Sequence, residues 1–185
     1  MKFMRVSRTV FAAGLVAFPL LAQQFGPSEN LGPPIPTPQT VVERMLDAGR
    51  VKPGDVVYDL GSGDGRVVIM AAQRYGAHAV GVELMPDLCR KARERIEAAG
   101  LTDRVRIIEG SALRVDLRPA DVVTMFFLTN SNERLRPALE RQLKIGARVV
   151  SYEFPVKGWR PVEQVQVRMG KSDHTILVYE MGHTR

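Results

Sequence analysis

The strongest chemical signal in the sequence is the run Asp59-Leu60-Gly61-Ser62-Gly63-Asp64-Gly65. It follows a short apolar stretch and precedes one with helical spacing, so the glycines fall where a strand would turn into a helix. In that setting the first glycine permits a tight turn. The second lets a ligand approach the backbone, and the third lets the helix pack close to the sheet. Peptide N–H groups at the start of the helix then face the ligand, Ser62 among them. A carboxylate at Asp59 would repel the pyrophosphate that a dinucleotide places here. It would accept hydrogen bonds from loop amides or from the ammonium group of an amino-acid-bearing cofactor such as S-adenosylmethionine. The third glycine also comes two residues after the second, one fewer than in G-x-G-x-x-G.

A second anchor is Glu83, which ends a second apolar run (HAVGVEL, 78–84) 22 residues after Gly61. An acid at this distance can take both hydroxyls of a ribose, with Leu84 beside it and Met85 able to pack on a base. The third anchor is Glu109-Gly110-Ser111-Ala112, after a third run, where an adenine edge would be read. The N–H of Ala112 can bond a ring nitrogen, and Ser111 can reach the amino group.

These residues need elements to hold them. Thr40 can cap a first helix that Gly49 ends. Continuous apolar runs at 55–60, 78–84, 105–109, 121–128 and 147–154 have the pattern of strands buried on both faces. Between them lie helical spacings: Val68, Ala71, Ala72 and Tyr75, and then Leu88, Ala92, Ile96 and Ala99, whose helix starts at Pro86. Another helix, capped by Ser131 or Asn132, reaches Leu143. Residues 162–169 and 175–181 then form two strands around a tight turn at 170–173. The expected fold is α/β: a Rossmann-like, seven-stranded, mostly parallel sheet with a C-terminal antiparallel hairpin.

Ahead of this domain, residues 1–22 place Lys2, Arg5 and Arg8 before an apolar run, the layout of a signal peptide or membrane anchor. That predicts export to the periplasm or membrane association, and a cytoplasmic chain if the segment does not function. Residues 23–38 read as a proline-rich linker, with five of the chain's 12 prolines between 26 and 38. The globular domain is expected over 39–185. The formal charge is +6, but residues 23–185 carry 23 basic and 20 acidic groups. With no basic stripe interleaved with aromatics, no nucleic-acid partner is expected. The lone Cys89 and the scattered His78, His174 and His183 have no metal-ligand spacing, so no metal is expected.

At these residues the chain resembles the class I methyltransferases. DLGSGDG matches their first motif, Glu83 their second, and Glu109–Ala112 roughly their third. Ser111 is a departure where the class often has Asp. More narrowly, PTPQTVVERML, VVYDLGSGDGRVVIMAA, AVGVEL, ARVVSYEF and Trp159 are similar to the small lysine methyltransferases related to the enzyme of the ATP synthase c subunit. Dot1-type histone methyltransferases share a DLGSG loop. The resemblance spans about 36–160 and implies S-adenosylmethionine as cofactor and a protein or peptide lysine as acceptor. The acceptor would then sit at the carboxyl ends of strands four and five, near Thr129, Asn130, Tyr152 and Glu153. Asn130 can orient the amine and Glu153 can accept its proton, with Phe126, Phe154 and Trp159 as walls. Phe127-Leu128-Thr129-Asn130 departs from the N/D-P-P-Y/F motif of base-modifying enzymes. The alternatives are a small-molecule methyltransferase, an NAD-dependent Rossmann protein and a non-catalytic nucleotide-binding protein.

Overall fold

A computed structural model describes residues 29–184. The segment 1–22 and its proposed role lie outside the described residues. The elements are α1 (Gln39–Ala48), β1 (Val56–Leu60), α2 (Arg66–Tyr75), β2 (His78–Glu83), α3 (Pro86–Ala98), β3 (Val105–Glu109), β4 (Val122–Met125), α4 (Thr129–Gln142), β5 (Arg148–Tyr152), β6 (Glu163–Met169) and β7 (Ser172–Glu180). The strands form one sheet in the order β3-β2-β1-β4-β5-β7-β6. β1 runs parallel to β2 and β4, and β7 is antiparallel to both β5 and β6. This is the expected Rossmann-like sheet with its terminal hairpin.

Both faces of the central strands are covered, which is why their sequences are continuous apolar runs. Val57, Val122, Val150, Tyr152, Ile176 and Val178 pack with α1, α2 and Ile96 of α3 on one face. Tyr58, Leu60, Val82, Met125, Val149, Leu177 and Tyr179 pack with Leu135 and Leu139 of α4 on the other.

Both expected helix caps are displaced. α1 begins at Gln39, and the carbonyl of Pro38 accepts the N–H groups of Val41 and Val42 at 2.9 and 3.0 Å. Thr40 is therefore already inside the helix, and its hydroxyl lies 3.6 Å from the Met169 sulfur. α4 begins at Thr129, because the carbonyl of Leu128 accepts from Ser131 and Asn132 at 2.9 and 3.0 Å. The side chains of Ser131 and Asn132 are used for long-range bonds instead. β4 stops at Met125, where its neighbour β1 gives way to the glycine loop at Gly61. β5 stops at Tyr152, because Glu153 adopts φ 65°.

Residues 30–38 form neither helix nor strand, and they pack on the domain rather than stand off from it. Leu31 is buried and Glu29 pairs with Arg114 at 2.6 Å. The carbonyl of Leu31 accepts the Ser131 hydroxyl at 2.6 Å, and that of Thr37 accepts from Arg66 at 2.7 Å. Chain outside helices and strands leaves its carbonyls free, and surrounding side chains satisfy them. This segment forms a strap across the carboxyl ends of the strands.

Candidate active site

The strap, the glycine loop and the ends of β1, β2 and β4 enclose one cavity, walled by Leu31, Asp59, Gly63, Glu83, Ala112 and Phe126 among others. The loop is sewn to β2. Gly61 and Ser62 donate to the carbonyl of Val82 at 2.8 and 3.0 Å, and Gly110 donates to that of Glu83 at 2.8 Å. The Glu83 carboxylate completes the seam, accepting from Gly63 N–H at 2.8 Å and from Met85 N–H at 2.9 Å. Asp64 holds the far end of the loop through Arg66 at 2.9 Å and Arg95 at 2.6 Å, and these guanidinium groups keep its carboxyl below the usual range.

Two glycines show different reasons for lacking a side chain. At Gly61, φ is 75° and a Cβ would stand 2.7 Å from the Phe127 ring. At Gly63, φ is 57° and the space where a Cβ would project is open, so its backbone stays accessible from the cavity. Gly65 is a packing residue, with Ala92 of α3 3.1 Å from where its Cβ would be.

Asp59 is buried at the base of the cavity and accepts a hydrogen bond from Thr124 Oγ1 at 2.7 Å. Burial raises its pKa to about 6; Thr124 and Ser62 oppose the shift, while the charges of Glu83 and Asp64 add to it. Ser62 lies close enough to lower that value, yet its own buried hydroxyl has no partner of good hydrogen-bond geometry. A buried acid, an unpaired hydroxyl and a carboxylate with spare lone pairs at Glu83 suit a ligand that brings an ammonium and several hydroxyls. These residues fit the aminoacyl and ribose parts of S-adenosylmethionine.

Leu84 and Met85 line the same cavity. After β3 its wall is Gly110 and Ala112, whereas Ser111 turns its hydroxyl to the amide of Leu113 at 3.3 Å. Cys89 is a buried thiol, 3.4 Å from the carbonyl of Glu83, with its pKa raised to about 11 chiefly by burial.

At the acceptor end, Asn130 is exposed in the first turn of α4. Asn132, which sequence reasoning treated only as a cap, is fully buried; its Nδ2 donates to the carbonyl of Phe154 at 2.9 Å. Phe126 lies against Tyr152 and Phe154, with ring centroids 4.6 and 6.1 Å apart. Trp159 is set apart, against Tyr179 and hydrogen-bonded to Glu140 at 2.9 Å. Glu153 contacts His174 Nδ1, and the Tyr152 hydroxyl is 2.8 Å from the same nitrogen. Tyr152 is pushed up to about 12, first by burial and then by the Glu153 charge. His174 was legible only as a scattered histidine. The alternation of His174, Ile176 and Val178 puts it on the same sheet face as Tyr152, but only once β7 is known to lie beside β5.

Comparison with known proteins agrees with this geometry. The family described as ANTKMT methyltransferase domain matches residues 59–163. A protein-lysine N-methyltransferase of Saccharolobus islandicus is 48% identical over 151 residues, covering 81% of this chain and 94% of that one. The adenine nucleotide translocase lysine N-methyltransferase of Mus musculus is 40% identical over 140 residues, which is 76% of this chain and 59% of the mouse enzyme. A crystal structure of an RNA methyltransferase from Salinibacter ruber, in complex with S-adenosyl-L-homocysteine, is 42% identical with a TM-score of 0.75. That match covers 80% of this chain and 94% of the other.

Proposed function

The chain belongs to the ANTKMT methyltransferase family and is an S-adenosylmethionine-dependent methyltransferase; on that premise we propose that its acceptor is a lysine side chain of a protein. The cofactor supplies a methyl group on a sulfonium. Asp59 would hold its ammonium group, Gly61, Ser62 and Gly63 its aminoacyl end, Glu83 its ribose hydroxyls, and Ala112 N–H its adenine, with Leu84 alongside. Ser111 would act only through the turn that presents Ala112, and Gly65 only through helix packing. The observation that carries the lysine reading is the acceptor end itself: the Glu153 carboxylate contacts His174, which meets the Tyr152 hydroxyl, and the Tyr152 ring packs on Phe126. Aromatic walls and a carboxylate suit a cationic alkyl amine and repel a phosphate backbone. Withdrawal of the acceptor nitrogen from water then favours the neutral amine that must attack. Asn130, exposed at the rim, would contact the acceptor chain rather than the reacting nitrogen.

Incubation with methyl-labelled cofactor and separated protein and RNA fractions tests the reading. Label on protein that is recovered as methyl-lysine after hydrolysis is expected. Label confined to RNA overturns it and transfers to this chain the activity in the Salinibacter protein's name. We also keep as a proposal that residues 1–22 direct the chain to or across a membrane. Among the described residues no helix is long and apolar enough to cross one. An intact Met1 in soluble protein from cells, read by mass spectrometry, would count against that role.

A further inference from the structure

Two described residues other than glycine have positive φ, Arg50 at 51° and Glu153 at 65°. Arg50 follows the end of α1, where a left-handed residue is ordinary. Glu153 ends a strand, where it is not, and such a conformation persists only when its surroundings over-determine it. They do so here. The N–H of Glu153 donates to the carbonyl of Thr175 at 2.8 Å. The next carbonyl, of Phe154, accepts from the Ser151 hydroxyl at 2.6 Å and from Asn132 at 2.9 Å. Held this way, the Glu153 side chain reaches His174 on β7, 21 residues on in the chain. The hydroxyl of Tyr152 meets the same imidazole nitrogen at 2.8 Å. Tyr152 packs on Phe126, and Phe126 lines the cofactor cavity. The strained turn therefore places a carboxylate and its two partners one aromatic ring away from the cofactor site.

We propose that His174, itself held by the Tyr152 hydroxyl, is a positioning residue that fixes Glu153 through Oε1, so that the carboxylate is placed to receive the acceptor amine. This rests on the lysine reading. The acceptor arrives as an ammonium and gives one proton to water by way of the Glu153 carboxylate. The freed nitrogen lone pair forms the N–CH3 bond, and the C–S bond breaks with its electron pair remaining on sulfur. Glu153 touches the substrate; His174 acts only through Glu153.

The test measures kcat, KM and cofactor affinity for the whole chain with labelled S-adenosylmethionine and poly-L-lysine. The variants are E153Q, H174A, H174N and the double variant E153Q/H174A. E153Q should lower kcat by about a hundredfold, the size of a lost proton acceptor. H174A should lower it roughly tenfold through misplacement of Glu153, with cofactor affinity unchanged. H174N should recover most of that loss, because an asparagine Nδ2 can stand where the imidazole Nδ1 stood. The double variant should be no worse than E153Q alone, since the two residues act as one unit. Nitrogen NMR should find the His174 proton on Nδ1. Additive losses, failure of H174N to rescue, or an Nε2–H tautomer would overturn the inference while the lysine reading stands. A parent protein that binds S-adenosylhomocysteine but labels neither poly-L-lysine nor any lysine in a cell lysate overturns both.

Discussion

Asp59 is charged at neutral pH only against the resistance of its surroundings. Its folded pKa of about 6 lies above the 3.8 of a free carboxyl, so the stability this residue contributes is greatest below pH 3.8 and is lost as pH rises through 6. A displacement of that size is worth roughly 2–3 kcal/mol. Asp59→Asn should therefore melt several degrees above the parent at pH 8, without ligand, and equal it near pH 4. The same variant should lose cofactor affinity, because the ammonium then has no charge to meet. In the parent, calorimetry should find affinity about tenfold weaker at pH 5 than at pH 7, since only the ionised fraction is competent. Flat affinity across that range would show that the ammonium binds elsewhere. Glu83 behaves differently. Glu83→Ala should weaken S-adenosylmethionine binding ten- to a hundredfold, about 1.5–3 kcal/mol for a charge-assisted hydrogen bond. Glu153→Ala should leave that affinity nearly unchanged. The sequence alone implies that both variants remain folded, since neither residue belongs to an apolar face. The structure adds that Glu83→Ala deprives the amides of Gly63 and Met85 of their acceptor, so its melting temperature should fall as well. Equal affinity for Glu83→Ala and parent in paired titrations would remove the ribose assignment.

At the level of elements, the strap is where the sequence was least informative. Five prolines between 26 and 38 imply an extended chain. They do not signal that Leu31 is an anchor, because its partners lie on α4 and on the loop after β3, about 100 residues away. Leu31→Ala should loosen the strap and raise the rate of cofactor dissociation, at a cost near 2–3 kcal/mol if the cavity does not collapse. Stopped-flow displacement would read that rate, and an unchanged rate would mean the strap does not cover the bound ligand. The glycine loop and Glu83 lie at the other extreme. Everything that defines them, strand, turn, helix and the next strand end, falls within 28 residues of continuous sequence, so local pattern is enough. Asn132 shows why a polar residue at a helix start is an ambiguous cap signal. Polar residues at a helix start are equally suited to a long-range bond, and Leu128 had already supplied the carbonyl that begins α4.

The whole molecule depends on a strand that arrives out of order. β7 lies between β5 and β6, gives Ile176 and Val178 to one core and Leu177 and Tyr179 to the other, and brings His174 to Glu153. Apolar runs announced seven strands and a hairpin, but nothing local says that the second arm of that hairpin, not the first, pairs with β5. A chain ending at residue 161 should accordingly show no cooperative calorimetric transition, because both cores lose a wall. A sharp transition in that shortened chain would mean the hairpin is an accessory. The same arrangement has a consequence during biosynthesis. β5 is complete when Tyr152 has been added, but its partner begins only at Ser172. At about 5–20 residues per second, the ribosome leaves the apolar edge of β5 uncovered for on the order of one to four seconds. Throughout that interval the nascent chain already carries every residue assigned to the cofactor and still lacks the histidine that completes the acceptor end. The growing polypeptide thus acquires its means of holding the methyl donor before its means of using it.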